Sequence, residues 1–278
     1  MGSGSRRRKR ARLIAAAAVT AAVLAGAGTF IAVKASETSA AVAANQTEAA
    51  AYTPTPAVTP SAPAPPKLNG VSAALKNIAE PFVIGVIGDS TGNGPDEWVS
   101  KMSEGIAVEA KRTVEFRNYN YVTKQYVTNQ VYGPKTSPVR VYNVGVPGAT
   151  TDELTPFLKG LYPVAPSLII VSVGHNQQPS TVTQALGKFI PAIKAEWPKA
   201  QILLVGQNPS QDRFERQKQT VNSVMTWADY LGYPSVSVFN AFANTPNFGA
   251  LYADNVHVNA EGSKLWAGVV QRYLLDNA

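Results

Sequence analysis

The stretch FVIGVIGDSTGNG, residues 82–94, joins an apolar run to an abrupt series of glycine and polar residues. Residues 82–87 contain only Phe, Val, Ile and Gly, which is typical of a parallel strand buried on both faces. Gly88, Asp89 and Ser90 come directly after this run. Because ligands of open α/β sheets bind beyond the carboxyl ends of the strands, Ser90 is a candidate for chemistry.

Four further apolar runs are bounded by turn residues in the same way. They lie at 139–146, 167–174, 201–207 and 235–240. Amphipathic helical patterns occupy 181–197, 213–231 and the segment after Asn259, which is the predicted N-cap of the last helix. This alternation predicts an α/β fold, a doubly wound, flavodoxin-like and mainly parallel five-stranded sheet with helices on both faces in three layers.

One segment, 113–133, breaks this alternation. It alternates β-forming residues with polar ones and includes the aromatic residues Phe116, Tyr119, Tyr121, Tyr126 and Tyr132. The pattern predicts a strand that continues into a hairpin. Such a hairpin would either cover an edge of the sheet or line the substrate site, and both interpretations stay open here.

The N-terminal part of the chain differs in composition from the rest. Residues 1–34 join a basic run to an uncharged stretch, 13–33, that is long enough to span a bilayer as a helix. We expect a transmembrane signal-anchor or a cleaved signal peptide, and in both cases export of the remaining chain. Residues 35–66, rich in Ala, Thr and Pro, predict an extended linker. The folded domain is expected at 67–278, on the outer face of the cell membrane or secreted.

Charge and cysteine content exclude several classes of function. The chain has 25 Lys and Arg against 18 Asp and Glu, but seven of the basic residues lie within residues 1–34. The remainder is formally neutral, so its composition does not indicate a nucleic-acid partner. Cysteine is absent, which excludes disulfides, thiol nucleophiles and cysteine-ligated zinc.

Both histidines of the chain lie in segments that are expected near Ser90. His175 comes after a predicted strand, and His257 precedes the last helix. An imidazole can take the proton of a serine hydroxyl at neutral pH, and a carboxylate can fix its tautomer. Asp254 lies three residues before His257. Ser90, His257 and Asp254 are therefore candidate catalytic residues.

Two other interpretations of GDSTG, residues 88–92, are weaker. A phosphate-binding loop would need a Gly-Lys-Ser/Thr ending, which is missing, and Asp89 would repel phosphates. The pattern also matches the G-x-S-x-G nucleophile elbow of α/β-hydrolases. In that fold the elbow comes after several earlier strands, whereas only residues 67–89 of the predicted domain precede Ser90.

Four blocks, taken together and in this order, resemble the SGNH (GDSL-type) hydrolase family. They are IGDST at 87–91, NVGVPGAT at 143–150, VSVGHNQQ at 171–178 and DNVHVNAEG at 254–262. The family usually has an acid where this chain has Gln177, and often a proline where it has Val258. Without the acid, the loop of the third block would be supported in another way. Without the proline, the loop of the fourth block lacks a rigid residue beside His257.

The resemblance implies roles for particular residues. Ser90 would be the nucleophile, His257 the base and Asp254 the group that orients His257. The oxyanion hole would consist of the backbone N–H groups of Ser90 and Gly148 and the side-chain amide of Asn176. No metal or other cofactor is implied. His175 and Asp89 are candidates for contact with the substrate.

The function that the resemblance implies is that of a lipase-like serine esterase. It would deacylate an extracytoplasmic substrate, such as an acetylated envelope polysaccharide or an acyl lipid. An acyltransferase would use the same triad, and a tethered, non-catalytic carbohydrate-binding module would use the same scaffold. The expected partners are a small-molecule, glycan or lipid ester and, if the N-terminal helix is retained, a membrane.

Overall fold

The structure is a computed structural model that describes residues 66–276. The predicted anchor or signal peptide at 1–34 and all but the last residue of the linker at 35–66 lie outside the described residues, so these predictions stay untested. Within 66–276, no helix has the length and apolar character needed to cross a membrane.

The described residues form seven strands and seven α-helices. The strands are β1 (Phe82–Gly88), β2 (Val114–Asn120), β3 (Gln125–Tyr132), β4 (Val139–Gly145), β5 (Leu168–Ser172), β6 (Gln201–Gly206) and β7 (Ser235–Ser237). The helices are α1 (Val71–Lys76), α2 (Trp98–Glu109), α3 (Thr151–Leu154), α4 (Val182–Glu196), α5 (Phe214–Leu231), α6 (Val238–Ala243) and α7 (Ala260–Asp276). Short 3-10 turns occur at Ser90–Gly92, Thr155–Phe157 and Phe248–Leu251.

All seven strands join one sheet in the order β3-β2-β4-β1-β5-β6-β7. Every neighbouring pair is parallel except β2 and β3, so the predicted fold class is confirmed. The five predicted strands have the flavodoxin-like order β4-β1-β5-β6-β7. The sheet has seven strands rather than five, because the segment 113–133 adds β2 and β3 at one edge. The last predicted strand ends early, at Ser237, where α6 begins.

Alternate residues of β1 face two separate cores, as the pleat of a strand requires. Ile84 and Val86 pack with α2, α6 and α7 on one side of the sheet. Val83 and Ile87 pack with α4 and α5 on the other side. Burial of such a side chain contributes about 1.5–3 kcal/mol, so both helical layers hold β1 at the centre of the sheet.

Helix α7 begins where the sequence predicts. The Asn259 side chain accepts hydrogen bonds from the N–H groups of Glu261 and Gly262, at 3.0 and 3.1 Å. These bonds satisfy two donors of the first turn. Further along α7, Trp266 stacks on Trp98 of α2 with ring centroids 5.3 Å apart. The stack joins the helix after Ser90 to the helix after His257.

The glycine at position 85 of β1 leaves space for an aromatic ring. A Cβ atom there would lie 2.6 Å from Cζ of Tyr162, a buried residue. The Tyr162 hydroxyl is itself buried without a hydrogen-bond partner. The ring therefore fills the space above Gly85 by packing alone.

We expect Gly85→Ala to lower the free energy of unfolding by about 1–3 kcal/mol, because the added methyl group overpacks the core against Tyr162. Gly187→Ala in α4 is the control. It has open space around its Cβ position and is expected to be neutral or stabilising. Urea denaturation of both variants measures the difference, and equal stabilities would contradict the packing argument.

Candidate active site

The parallel strands bring the predicted site residues to one rim of the sheet. Ser90 comes after β1, Gly148 after β4 and Asn176 after β5, and these three strands are neighbours. His257 lies in the loop that precedes α7. The rim lies where the strand order reverses around β1, which is where doubly wound sheets bind ligands.

The structure brings together Ser90, His257 and Asp254. The Ser90 Oγ lies 2.9 Å from Nε2 of His257, and Nδ1 of His257 lies 2.8 Å from Oδ2 of Asp254. In this arrangement Nδ1–H donates to the carboxylate, which leaves Nε2 free to accept the serine proton. The geometry is that of a nucleophile, a base and a carboxylate that orients the base.

Local hydrogen bonds hold the Asp254 carboxylate in place. Its Oδ1 accepts from the N–H groups of Val256 and His257, both at 2.7 Å. Burial acts to raise the pKa of Asp254, but these two N–H groups and the His257 ring outweigh it and lower the pKa to about 2. A bridge between Tyr252 and Val258 closes the loop at its base. The loop is thus ordered with Val258 in the place of the usual proline.

The two other predicted oxyanion-hole groups lie beside each other on the rim. Gly148 is exposed and has a φ of 73°, a conformation that side-chain-bearing residues rarely adopt. The Asn176 amide donates to the carbonyl of Ala149 at 3.2 Å. Because the amide has two N–H groups, the second is available to a substrate oxygen.

Asp89 and His175, the predicted substrate contacts, are both buried, with 1% and 5% of their surface exposed. Gln207 Nε2 lies 3.1 and 3.0 Å from the two Asp89 carboxylate oxygens. The His175 backbone N–H donates to Oε1 of Gln207 at 2.9 Å. These positions do not support contact with substrate. Both residues instead hold the loops beneath Ser90.

A second set of buried bonds extends from His175 to the loop that carries the base. His175 Nε2 donates to Oδ1 of Asn208 at 2.8 Å, and Nδ2 of Asn208 donates to the Val256 carbonyl at 2.8 Å. Burial lowers the pKa of His175, against the effect of Asp89, and so favours the neutral ring. The end of β5 is therefore tied to the loop of Asp254 and His257.

The sequence interpretation missed four polar residues that support the site. Besides Gln207 and Asn208, these are Asn118 on β2 and Asn143 on β4. Asn143 Nδ2 lies 2.6 Å from the Gly92 carbonyl and 2.7 Å from Oδ1 of Asn118. Applied to the run 201–207, the strand-end rule would have identified Gln207. Nothing local distinguishes Asn118, because its role depends on the pairing of β2 with β4.

Gln177, which stands in the place of the usual acid, supports the third block in a different way. Its Nε2 donates to Oγ1 of Thr151 at 3.0 Å, and its backbone carbonyl accepts from Arg216 at 3.0 Å. Its side-chain oxygen is buried without a partner. Among residues 66–276, no group of three or more His, Asp or Glu side chains is placed to hold a metal ion.

A groove with a volume of about 340 Å³ adjoins Asn176. Its lining is mainly polar and includes Thr150, Asp152, Asn176, Thr181, Gln184 and Lys188. Ala185 is the one apolar residue of the lining. The groove therefore offers hydrogen-bonding groups beside the rim, together with a comparable share of apolar surface from aliphatic parts of its lining.

We expect Asn208→Ala to lower the free energy of unfolding by about 2–5 kcal/mol, because it leaves His175 Nε2–H and the Val256 carbonyl without their partner. Asn244→Ala, at an exposed position, is the control and should change stability by less than about 0.5 kcal/mol. Denaturation curves of the two variants provide the comparison. Similar stabilities would show that the bonds of Asn208 are dispensable.

Solved structures of known proteins share this fold. A lipase/acylhydrolase from Enterococcus faecalis is 18% identical with a TM-score of 0.52, over 70% of this chain and 95% of that chain. A peptidoglycan O-acetylesterase is 15% identical with a TM-score of 0.53, over 74% and 93%. A carbohydrate esterase family 3 protein from Talaromyces cellulolyticus is 16% identical with a TM-score of 0.50, over 70% and 96%. At these identities the similarity establishes the fold alone.

The family itself is established by sequence. No curated protein matches the chain. The model of the GDSL-like lipase/acylhydrolase family, however, matches residues 86–265, which include all four blocks from Ser90 to His257. Since this match covers more than half of the chain, the protein belongs to the GDSL-like lipase/acylhydrolase family and is a hydrolase with the SGNH fold.

Proposed function

We propose that this hydrolase is an exported serine esterase that removes short acyl groups from a hydroxyl-rich substrate, such as an acetylated envelope polysaccharide. The observation that carries the proposal is the hydrogen-bonded series Ser90–His257–Asp254, with distances of 2.9 and 2.8 Å. A binding module without catalytic activity would not need this complete series of hydrogen-bonded residues.

In the proposed mechanism Ser90 Oγ attacks the ester carbonyl carbon while Nε2 of His257 takes the hydroxyl proton. The negative charge on the carbonyl oxygen is held by the N–H groups of Ser90 and Gly148 and by the Asn176 amide. The C–O bond to the alcohol then breaks, and the imidazolium gives its proton to the leaving oxygen. A water molecule then attacks the acyl-enzyme carbonyl while Nε2 of His257 takes a proton from it. The bond between Ser90 Oγ and the acyl carbon breaks, the imidazolium returns the proton to Oγ, and the acid leaves.

Exposure of the base favours hydrolysis over transfer of the acyl group. The side chains of His257 and Asp254 are 40% and 58% exposed. Water therefore has direct access to the base during the second step. An acyltransferase with the same triad would have to exclude that water.

The groove beside Asn176 supports a polar substrate over an acyl lipid. A bound acyl chain gains about 0.8 kcal/mol for each methylene group that an apolar surface buries. The lining residues carry hydroxyl, amide and charged groups, which suit the hydroxyl groups of a glycan, and only one of them, Ala185, is an apolar residue. The same fold carries the peptidoglycan O-acetylesterase and the carbohydrate esterase from Talaromyces cellulolyticus.

Export and attachment to the cell membrane are part of the proposal and rest on the sequence. The basic and uncharged stretches of residues 1–34 favour an N-terminal anchor or a signal peptide. The linker at 35–66 would separate the catalytic domain from the membrane. This location would give the enzyme access to polymers of the cell envelope.

We expect Ser90→Ala to reduce kcat/KM on p-nitrophenyl acetate by at least about 10³-fold, because the nucleophile is removed. The matched control is Ser180→Ala, at an exposed position outside the triad, which should retain activity. A fluorophosphonate probe should label the wild type and Ser180→Ala but not Ser90→Ala. Labelling that persists without Ser90 would contradict the mechanism.

We also expect kcat/KM on p-nitrophenyl octanoate to be no higher than on the acetate, since Ala185 is the one apolar residue in the groove lining and, among residues 66–276, no apolar channel continues from it. An apolar channel would instead favour the octanoate by several orders of magnitude. Gln184→Leu adds an apolar side chain to the groove and should raise the activity on octanoate relative to acetate. A wild-type preference for octanoate would exclude the polar substrate and favour an acyl lipid.

A further inference from the structure

A small cavity adjoins the turn that carries Ser90, on the inner side of that turn. Its volume is about 10 Å³. The lining comes from the ends of β1, β4 and β5, from the turn after β1, and from the first residue of α2. Every residue of the lining is buried. A molecule in this cavity would therefore be enclosed by the protein and out of contact with bulk solvent.

Two polar side-chain atoms of the lining residues are buried without a hydrogen-bond partner among residues 66–276. They are Nε1 of Trp98 and Oγ of Ser172, on residues that are 1% and 2% exposed. Ser172 alternates along β5 with residues that face the core containing Trp98, so both side chains lie on the same side of the sheet. Buried polar groups in native proteins are nearly always paired, with protein or with ordered water. Two unpaired groups on one cavity indicate a shared partner.

The Asp89 carboxylate lines the same cavity and has capacity for a further hydrogen bond. Its Oδ1 accepts from the N–H and the hydroxyl of Thr91 at 3.0 and 2.8 Å, and Gln207 Nε2 donates to the carboxylate. Among the described residues, Gln207 is the one donor to Oδ2, although a carboxylate oxygen can accept two hydrogen bonds. Because this charge is buried, each additional donor stabilises it.

These groups define the chemistry of the partner. The Trp98 N–H needs an acceptor, the Asp89 carboxylate needs a donor, and the Ser172 hydroxyl can be either. A cation would face the indole N–H, and an anion would face the carboxylate. An apolar group would leave both unpaired atoms as they are. A water molecule fits, since it needs about 10–15 Å³ and two to four polar partners.

We infer that this cavity is a binding site for one internal water molecule. The water accepts a hydrogen bond from Trp98 Nε1–H and bonds to the Ser172 hydroxyl and the Asp89 carboxylate. It thereby joins α2 and the end of β5 to the turn of Ser90 and supports the nucleophile from within the fold. The inference does not depend on the proposed function, because the bonds form whether or not an ester is hydrolysed.

NMR of the full chain tests the site through the indole N–H protons. The chain has four tryptophans, and Trp98→Phe identifies the signal of Trp98. We expect NOE and ROE cross-peaks of opposite sign between this proton and water, which mark a bound molecule, whereas proton exchange gives the same sign in both. Trp266 Nε1 is also buried without a partner but does not line the cavity, so its cross-peak should be absent or much weaker.

Ser172→Val is the second sample in this experiment, since its side chain fills the cavity and has no hydroxyl. The water cross-peak of Trp98 should disappear in this variant. Absence of the cross-peak in the wild type, or a cross-peak that persists unchanged in Ser172→Val, would overturn the inference.

The direction of a stability change gives an independent test. Ser172→Ala and Tyr162→Phe each remove a buried hydroxyl that has no partner among residues 66–276, but Tyr162 does not line the cavity. If the water is bound, Ser172→Ala breaks a hydrogen bond and should lower Tm by about 2–6 °C. Tyr162→Phe removes an unpaired group and should leave Tm unchanged or raise it. A Tm of Ser172→Ala at or above that of the wild type would show that the hydroxyl has no partner and would contradict the water site.

Discussion

The hydrogen bond between Ser90 Oγ and His257 Nε2 joins two residues that are 167 positions apart. Its 2.9 Å length depends on the end of β1, the start of α7 and the contact between them. Buried strands hold Ser90 from below, and the Trp98–Trp266 stack connects the two helices that come after these residues. The strands and helices of the domain together hold Ser90 Oγ and His257 Nε2 at this distance.

The support beneath the rim is polar, although the two cores are apolar. Gln207 connects Asp89 to the backbone of His175, and Asn208 connects the His175 ring to the loop of Asp254. Such a network is costly unless its members are paired, but when paired it specifies one arrangement of the loops. An apolar interior at this level would pack as well without fixing their relative positions.

Two polar groups of this structure, on Glu97 and Tyr162, are buried at a cost in stability. The Glu97 carboxylate is half-buried and held only by backbone groups of one loop, and the Tyr162 hydroxyl is buried without a partner. Tyr162 fills the core above Gly85, so its ring offsets the unpaired hydroxyl.

The sequence by itself determined the fold class, the five strands β1, β4, β5, β6 and β7, and the candidates Ser90, Asp254 and His257, because these depend on local patterns: apolar runs, strand ends and an Asp-x-x-His spacing. Only the tertiary structure decided the rest. Asn118 reaches the site through the pairing of β2 with β4. Arg112 is fully buried among backbone carbonyls from two distant segments, although its charge predicts exposure. Each of these outcomes depends on contacts between segments far apart in the chain, which no local pattern records.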